Sequence, residues 1–400
     1  MLRISRTNMS VLGVWWYTVD RWMLFAIIFL GCIGLFFSLA ISPAEAISIK
    51  TNTYFFLTRH FIYFFISLFF LVSISILPSS LVRKLSLIVF IISFIGIFLT
   101  LIIGVSSGGA SRWLSAFGFT IQPSEFLKPS LIIVVSWFLA RSRLESDITL
   151  QIIPLIVTLI VISLLLLQPD VGQTILIILT IMGLLFFNGL SWKIISALTT
   201  TSFLGFIFLY LNFSHVASRV NNWLAGWFFP ESLDNRPTQI SAAIDAFENG
   251  GLFGQGIGEG WMKYNLPDAY TDFIFAAVAE EGGLFLIIVI ILIYGFLIIR
   301  GFSKITLVSN YANQLAASGL LLIFGLQTLF HMAVNLSLAP AKGMTLPFIS
   351  YGGSSILSLG ICMGMFLSLT KKDDPRIKKM KKNFSAVSYT HLTLPTRAVV

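Results

Sequence analysis

The chain contains the segment Leu266-Pro267-Asp268-Ala269-Tyr270-Thr271-Asp272-Phe273-Ile274-Phe275, then Ala276-Ala277-Val278-Ala279, then Glu280-Glu281-Gly282-Gly283. It closes the one long polar stretch of the sequence and opens a long apolar one. Asp272 stands where the two meet. Glu280 and Glu281 lie eight and nine residues deeper, roughly 12–14 Å along a helix at ~1.5 Å per residue. A carboxylate at bilayer depth is costly and is kept for a reason. The segment therefore reads as the start of a membrane-spanning helix, with the remaining chain as the scaffold that holds it.

Composition supports that frame. Of 400 residues 56% are hydrophobic, 11% are charged and 38 are Phe, whereas a soluble domain carries about 25% charged residues. Cys32 and Cys362 both lie inside apolar runs and offer neither a disulfide framework nor a thiolate metal site. His60, His215, His331 and His391 have no ligand spacing, which argues against a zinc enzyme. The net charge of +9 is not gathered on a folded basic surface outside the membrane, so nucleic acid is not an expected partner.

Ten apolar runs follow one another, at 23–41, 61–77, 85–105, 126–140, 152–167, 174–187, 194–211, 273–299, 315–336 and 348–369. The expected fold is an all-α polytopic membrane protein with about ten transmembrane helices. Several runs fall short of the ~20 residues a span needs, and these extend into flanking polar residues. The first run is followed by Ala44-Glu45-Ala46, which resembles a cleavage site, but it exceeds the apolar length of a signal peptide and reads as a retained span. Residues 1–22 form a short N-terminal segment, 23–370 one transmembrane domain, and 371–384 a basic tail. Residues 385–400 share neither character and read as a flexible tail or a sequence artefact.

Lys and Arg set the orientation. Arg3, Arg6, Arg21, Arg83, Lys84, Arg141, Arg143, Lys193, Arg300, Lys304 and the tail beginning at Lys371 fall on one side, which places both termini in the cytoplasm. The polar motifs then collect on the outer face. The segment 212–271, between the seventh and eighth spans, is far longer than the other loops, and loops of that length are functional or disordered. Its Trp223, Trp227, Phe228, Phe229 and Trp261 favour order.

Asp272 has two readings. As a general base it would take a proton from an attacking sugar hydroxyl, with partial burial beside other acids raising its pKa. As a helix N-terminal carboxylate it would only complement the dipole. Glu125 and Lys128 share a helix face between Pro123 and Pro129, an interruption of the kind that lines cavities in membranes. They read as a phosphate-holding Lys oriented by a carboxylate, or as a structural ion pair. Arg112-Trp113 after a Gly-Gly-Ala turn suits diphosphate oxygens, or an ordinary interface anchor. Lys342-Gly343, beside a Ser- and Gly-rich segment, offers another phosphate contact or a plain turn. Glu280 and Glu281 join these as candidate substrate-binding groups. Gly256-Ile257-Gly258-Glu259-Gly260 lacks the spacing of a dinucleotide fingerprint, and Gly364 suits helix packing. Cations and acids converging on one membrane face fit an anionic lipid or solute.

These motifs resemble the FtsW/RodA (SEDS) family of bacterial cell-wall glycosyltransferases. The match comprises Gly109-Ala110 with Arg112-Trp113, Gln122-Pro123-Ser124-Glu125 with Lys128-Pro129, Gln168-Pro169-Asp170, the Gly-Gly-Leu-Phe-Gly-Gln-Gly of 250–256, Leu266 to Phe273, Glu280-Glu281, and Lys342 to Ser355, in order over 23–370. Gln173-Thr174 and Leu266-Pro267-Asp268-Ala269 look closer to the division branch than to the elongation branch. The resemblance implies polymerisation of lipid II into glycan strands with release of undecaprenyl diphosphate. Asp272 would be the base, and Arg112, Lys128 and Lys342 would hold the diphosphate, with no assured cofactor although a divalent cation such as Mg2+ could share that work. It also implies a class B penicillin-binding transpeptidase and other division-complex membrane proteins as partners, in the bacterial cytoplasmic membrane at the division septum. The family usually has His two residues before its key Asp. Here Tyr270 stands there, which weakens or tunes activity if that His assists proton transfer. A lipid II flippase, or a division scaffold without catalysis, uses many of the same features.

Overall fold

The computed structural model describes residues 10–48, 50–107, 110–116, 119–145, 147, 149–228, 239–266, 268–340 and 343–372. Lys342, most of the basic tail and all of 385–400 lie outside the described residues.

Each expected span has its helix. They are α2 (Arg21–Ser48), α3 (Phe55–Ile76), α4 (Ser79–Ile103), α5 (Pro123–Glu145), α6 (Thr149–Leu167), α7 (Val171–Phe187), α8 (Trp192–Asn212), α11 (Ile274–Ile305), α12 (Tyr311–Asn335) and α13 (Gly353–Leu369). Among the described residues seven are long and apolar enough to cross a membrane, while α7 and α13 are 17 residues each. Length alone therefore leaves these two dependent on their neighbours. Ala46 at the cleavage-like sequence is fully buried within α2, which packs against α3 and α11.

Three features were not expected. A short helix α1 (Val11–Thr18) precedes the first span, capped by Ser10, whose side chain accepts from Gly13 N. Two helices, α9 (Ser214–Phe228) and α10 (Gln239–Gly250), lie in the long polar segment. Between α4 and α5, the described residues form a three-stranded antiparallel sheet, with Val105–Ser107, Ala110–Ala116 and Phe119–Ile121 as β1, β2 and β3. Strands this short carry too little alternation to be read from sequence.

The centre of the bundle is α5, α12 and α13, buried over most of their length, while α4 and α6 turn many large apolar residues outward. Small residues let α13 approach α3, since a Cβ at Gly364 would sit 2.8 Å from the Leu71 carbonyl oxygen. At the opposite end of α11 from Asp272, Asp20 pairs with Arg300 at 2.8 Å and Lys304 at 3.0 Å, tying that helix to the start of α2.

The helix α11 is broken at Gly283, whose φ of 71° and ψ of 179° lie outside helical space. The Gly-Gly-Leu-Phe-Gly-Gln-Gly segment backs onto this break. Gln255 N donates to Glu280 O (2.9 Å), Leu284 N to Gly251 O (2.9 Å) and Phe285 N to Leu252 O (3.1 Å). A helix break at membrane depth strands main-chain groups, and a glycine-rich loop approaches closely enough to satisfy them. A Cβ at Gly254 (φ 81°) would collide with the Glu281 carbonyl oxygen. Gly254→Ala is therefore expected to destabilise this junction by roughly 1–3 kcal/mol or more, read as faster proteolysis between 250 and 266. Wild-type resistance would show that the junction is not tight.

Candidate active site

Asp272 lies in a turn that enters α11, partly exposed. The turn closes on Asp268, in left-handed space at φ 55°, whose carbonyl accepts from Thr271 N (3.0 Å) and Asp272 N (3.0 Å). Burial pushes the Asp268 carboxyl above its usual range. Burial, helped by Glu45, Asp268, Tyr351 and Asp272, pushes the Tyr270 phenol well above its usual range. Burial thus favours the neutral Tyr270 hydroxyl. Its ring packs on Phe56 at 4.5 Å and Tyr351 at 5.4 Å.

The segment 343–352 folds back over this turn. Ser350 Oγ donates to Thr271 O (2.7 Å), Tyr351 N donates to Tyr270 O (3.0 Å), and Tyr294 OH donates to Pro347 O (2.6 Å). Phe348 is fully buried at φ 66°, a conformation a bulky residue adopts only when its surroundings impose it. The result is a close approach, in which a Cβ at Gly343 would lie 3.1 Å from Asp272 Oδ2. The structure thus brings together Asp272 and the chain that immediately follows Lys342.

Two cation–carboxylate pairs lie deeper. Lys128 Nζ is 2.9 Å from Glu125 Oε2, with both side chains buried, and it donates to Gln327 Oε1 at 3.2 Å. Gln173 Nε2 donates to Glu125 Oε1 at 2.7 Å. This is the buried pair of the structural reading, with neither group open to the surface. Arg112, on β2, is different. Its side chain is 23% exposed, it donates to Pro169 O (2.6 Å), and it lies 3.7 Å from Asp170 Oδ2. Asp170 caps α7 through Gln173 N (3.3 Å), and burial raises its carboxyl against the opposing pull of Arg112. Among these four groups Arg112 is the one that still reaches solvent.

Glu280 and Glu281 are 0% and 2% exposed and turn towards the loop. Glu280 Oε1 accepts from Trp261 N (2.8 Å) and Met262 N (3.0 Å), and Glu281 Oε1 pairs with Lys263 Nζ (2.9 Å), which also donates to Gly258 O (2.6 Å). A polar loop strapped to an apolar helix needs such fixed charges, because each unmatched main-chain donor at that depth costs several kcal/mol. In this arrangement the two carboxylates anchor the loop, and neither presents an exposed oxygen to a substrate. Lys263→Met would leave Glu281 uncompensated, a change expected to cost ~3–5 kcal/mol. Thermal unfolding would report that loss, and an unchanged midpoint would show the pair to be idle.

Sequence reasoning passed over Gln327, His331, Asn335, Ser350 and Lys263. Three of these sit four residues apart on α12, within an apolar run. Uncharged polar residues recurring at that spacing inside a span were the available signal.

The model of the cell cycle protein family that groups FtsW, RodA and SpoVE matches residues 21–374. A probable peptidoglycan glycosyltransferase FtsW of Caulobacter vibrioides is 39% identical over 370 residues, 92% of this chain and 93% of its own length. A protein of the same name from Legionella pneumophila is 33% identical, over 88% of this chain and 90% of its own. Among solved structures, a chain from work on the structural coordination of polymerization and crosslinking by a peptidoglycan synthase complex shares the fold at TM-score 0.71 and 23% identity, over 88% of this chain and 97% of its own. The Thermus thermophilus rod shape determining protein RodA shares it at 0.64 and 22%, over 90% and 99%. With helices, motifs and relatives agreeing along nearly the whole chain, this multi-pass membrane protein belongs to the FtsW/RodA/SpoVE family of cell cycle proteins.

Proposed function

We propose that this chain is a peptidoglycan glycosyltransferase that joins lipid II into glycan strands during septal cell-wall synthesis. The observation that carries this reading is the Asp272 carboxylate. It is partly exposed on a turn held from several sides, with Oδ2 against the Gly343 segment. The 4-hydroxyl of one lipid-linked disaccharide attacks the anomeric carbon of another chain's reducing end. The new glycosidic C–O bond forms as the bond from that carbon to the diphosphate oxygen breaks, and the bonding pair leaves with undecaprenyl diphosphate. Asp272 takes the hydroxyl proton. Arg112 is the accessible cation for the charge growing on the leaving group, with Lys342 the next candidate. Lys128 acts from within the bundle by holding Glu125 and Gln327 in place. Among the described residues no three His, Cys, Asp or Glu side chains could hold a metal ion. No step is routed through a divalent cation, which a diphosphate substrate would bring to one or two carboxylates together with its own phosphate oxygens.

The partner this reading implies is a class B penicillin-binding transpeptidase that crosslinks the product. The resemblance to a chain from a polymerising and crosslinking complex supports it. The Lys and Arg distribution supports cytoplasmic termini and chemistry at the outer face. The test is to supply the purified protein and its cognate transpeptidase with labelled lipid II and to follow glycan strands and undecaprenyl diphosphate. Both are expected. Movement of lipid II across vesicles without strands would overturn the reading for a flippase, and neither activity would leave a scaffold.

A further inference from the structure

Helix α11 begins without a cap of its own. Its N-cap residue is Phe273, whose side chain makes no capping bond. A helix exposes unpaired N–H groups in its first turn, and Ser, Thr, Asp or Asn at the N-cap ordinarily takes one of them. Here the cap comes from another helix. Asn335, fully buried in the last turn of α12, accepts from Ala276 N through Oδ1 at 3.1 Å and donates through Nδ2 to the Asp272 carbonyl at 2.9 Å. One amide thereby grips the chain on both sides of the point where the turn becomes helix. The N–H of Ala276, which an Asp side chain next to the helix start could have taken, goes to Asn335 instead.

One turn back on α12, His331 Nδ1 lies 2.7 Å from Met344 O, so this nitrogen donates to the segment 343–352, the strap over the Asp272 turn. One turn further, Gln327 Nε2 donates to Thr345 O at 3.1 Å. Asn335 Nδ2 also donates to His331 O at 2.9 Å, which locks its own rotamer. A single face of α12 thus holds both the main chain that carries the Asp272 carboxylate and the strap that this carboxylate faces.

We propose that Asn335 is a positioning residue for Asp272, an interhelical cap that sets the distance between the base and the strap. The proposal rests on the reading of Asp272 as the base. A displacement of about 1 Å at a reacting group can cost about 100-fold in rate, so loss of the grip is expected to reach the chemistry before it reaches substrate affinity.

The experiment is a double-mutant square in the full chain with its transpeptidase: wild type, Asn335→Ala, Asp272→Asn and the double variant. Single-turnover glycan formation is measured at saturating lipid II, alongside lipid II affinity and thermal midpoint, and is normalised to folded protein. Asn335→Ala is expected to lose about 10- to 100-fold in rate with affinity within about threefold of wild type. The double variant is expected to match Asp272→Asn, because a residue that acts through Asp272 has nothing left to position. Losses that multiply in the double variant would overturn the proposal, since a structural defect acts on either background. A wild-type rate in Asn335→Ala would overturn it as well. Full activity in Asp272→Asn would instead remove the base reading, which the square reports separately. If Asn335→Ala does not fold, Asn335→Asp at pH 8 keeps the size and the acceptor for Ala276 while removing the donor to Asp272. It faces the same comparison.

Discussion

Asp272→Asn is expected to lower glycan polymerisation by about 10²–10⁴-fold, the usual contribution of a general base. The substitution is nearly isosteric, and the main-chain bonds that build the turn survive it. Asp272 N still reaches Asp268 O, and Asn335 still reaches the residue 272 carbonyl. The protein should therefore fold, insert and bind lipid II, and fail at proton removal alone. Single-turnover polymerisation with matched binding curves would show this. A rate within about threefold of wild type would take Asp272 out of the chemistry. One N–H of the first turn of α11, that of Ala276, is taken by Asn335 rather than by a side chain of the turn.

The second large effect concerns Glu125 and Lys128. Lys128→Met would leave the Glu125 carboxylate deep in the bundle with the Gln173 amide but no cation. Removing one member of a buried pair costs ~3–5 kcal/mol, whereas replacing both with neutral groups of similar volume is often nearly neutral. The single variant should therefore unfold well below wild type in a thermal or denaturant titration, and Lys128→Met with Glu125→Gln should recover most of the loss. Equal damage in both would show that the pair is held for more than charge balance. Activity of the recovered double variant then separates the two roles. A structural pair leaves polymerisation largely intact, while a Lys128 that meets diphosphate leaves a stable protein that does not polymerise.

Hydrophobic runs marked the ten helices because burying or exposing an apolar face to lipid is written into composition, one residue at a time. The same logic marked Asp272, Glu280 and Glu281, since a carboxylate amid apolar neighbours is conspicuous wherever it points. Where each carboxylate points was not legible. Glu280 and Glu281 are adjacent to each other and near Asp272 in sequence, yet they bind Trp261, Met262 and Lys263, residues that reach them only because α11 breaks at Gly283 and the glycine loop lies against the break. Nor does the sequence show that the Lys128 nitrogen lies between Glu125 and Gln327, a residue 199 positions away.

Read alone, the residues yield the membrane class, the order of the apolar spans, the family and Asp272 as the candidate base. These depend on local composition and on motifs read within a few residues. The fold alone shows which charged groups are buried in pairs and which reach the surface. That choice depends on pairings between distant segments, and a buried polar group is defined by the partner it meets. Asn335 illustrates the difference. In sequence it is one amide at the end of an apolar run, and in the fold it is the cap of another helix and the grip on Asp272.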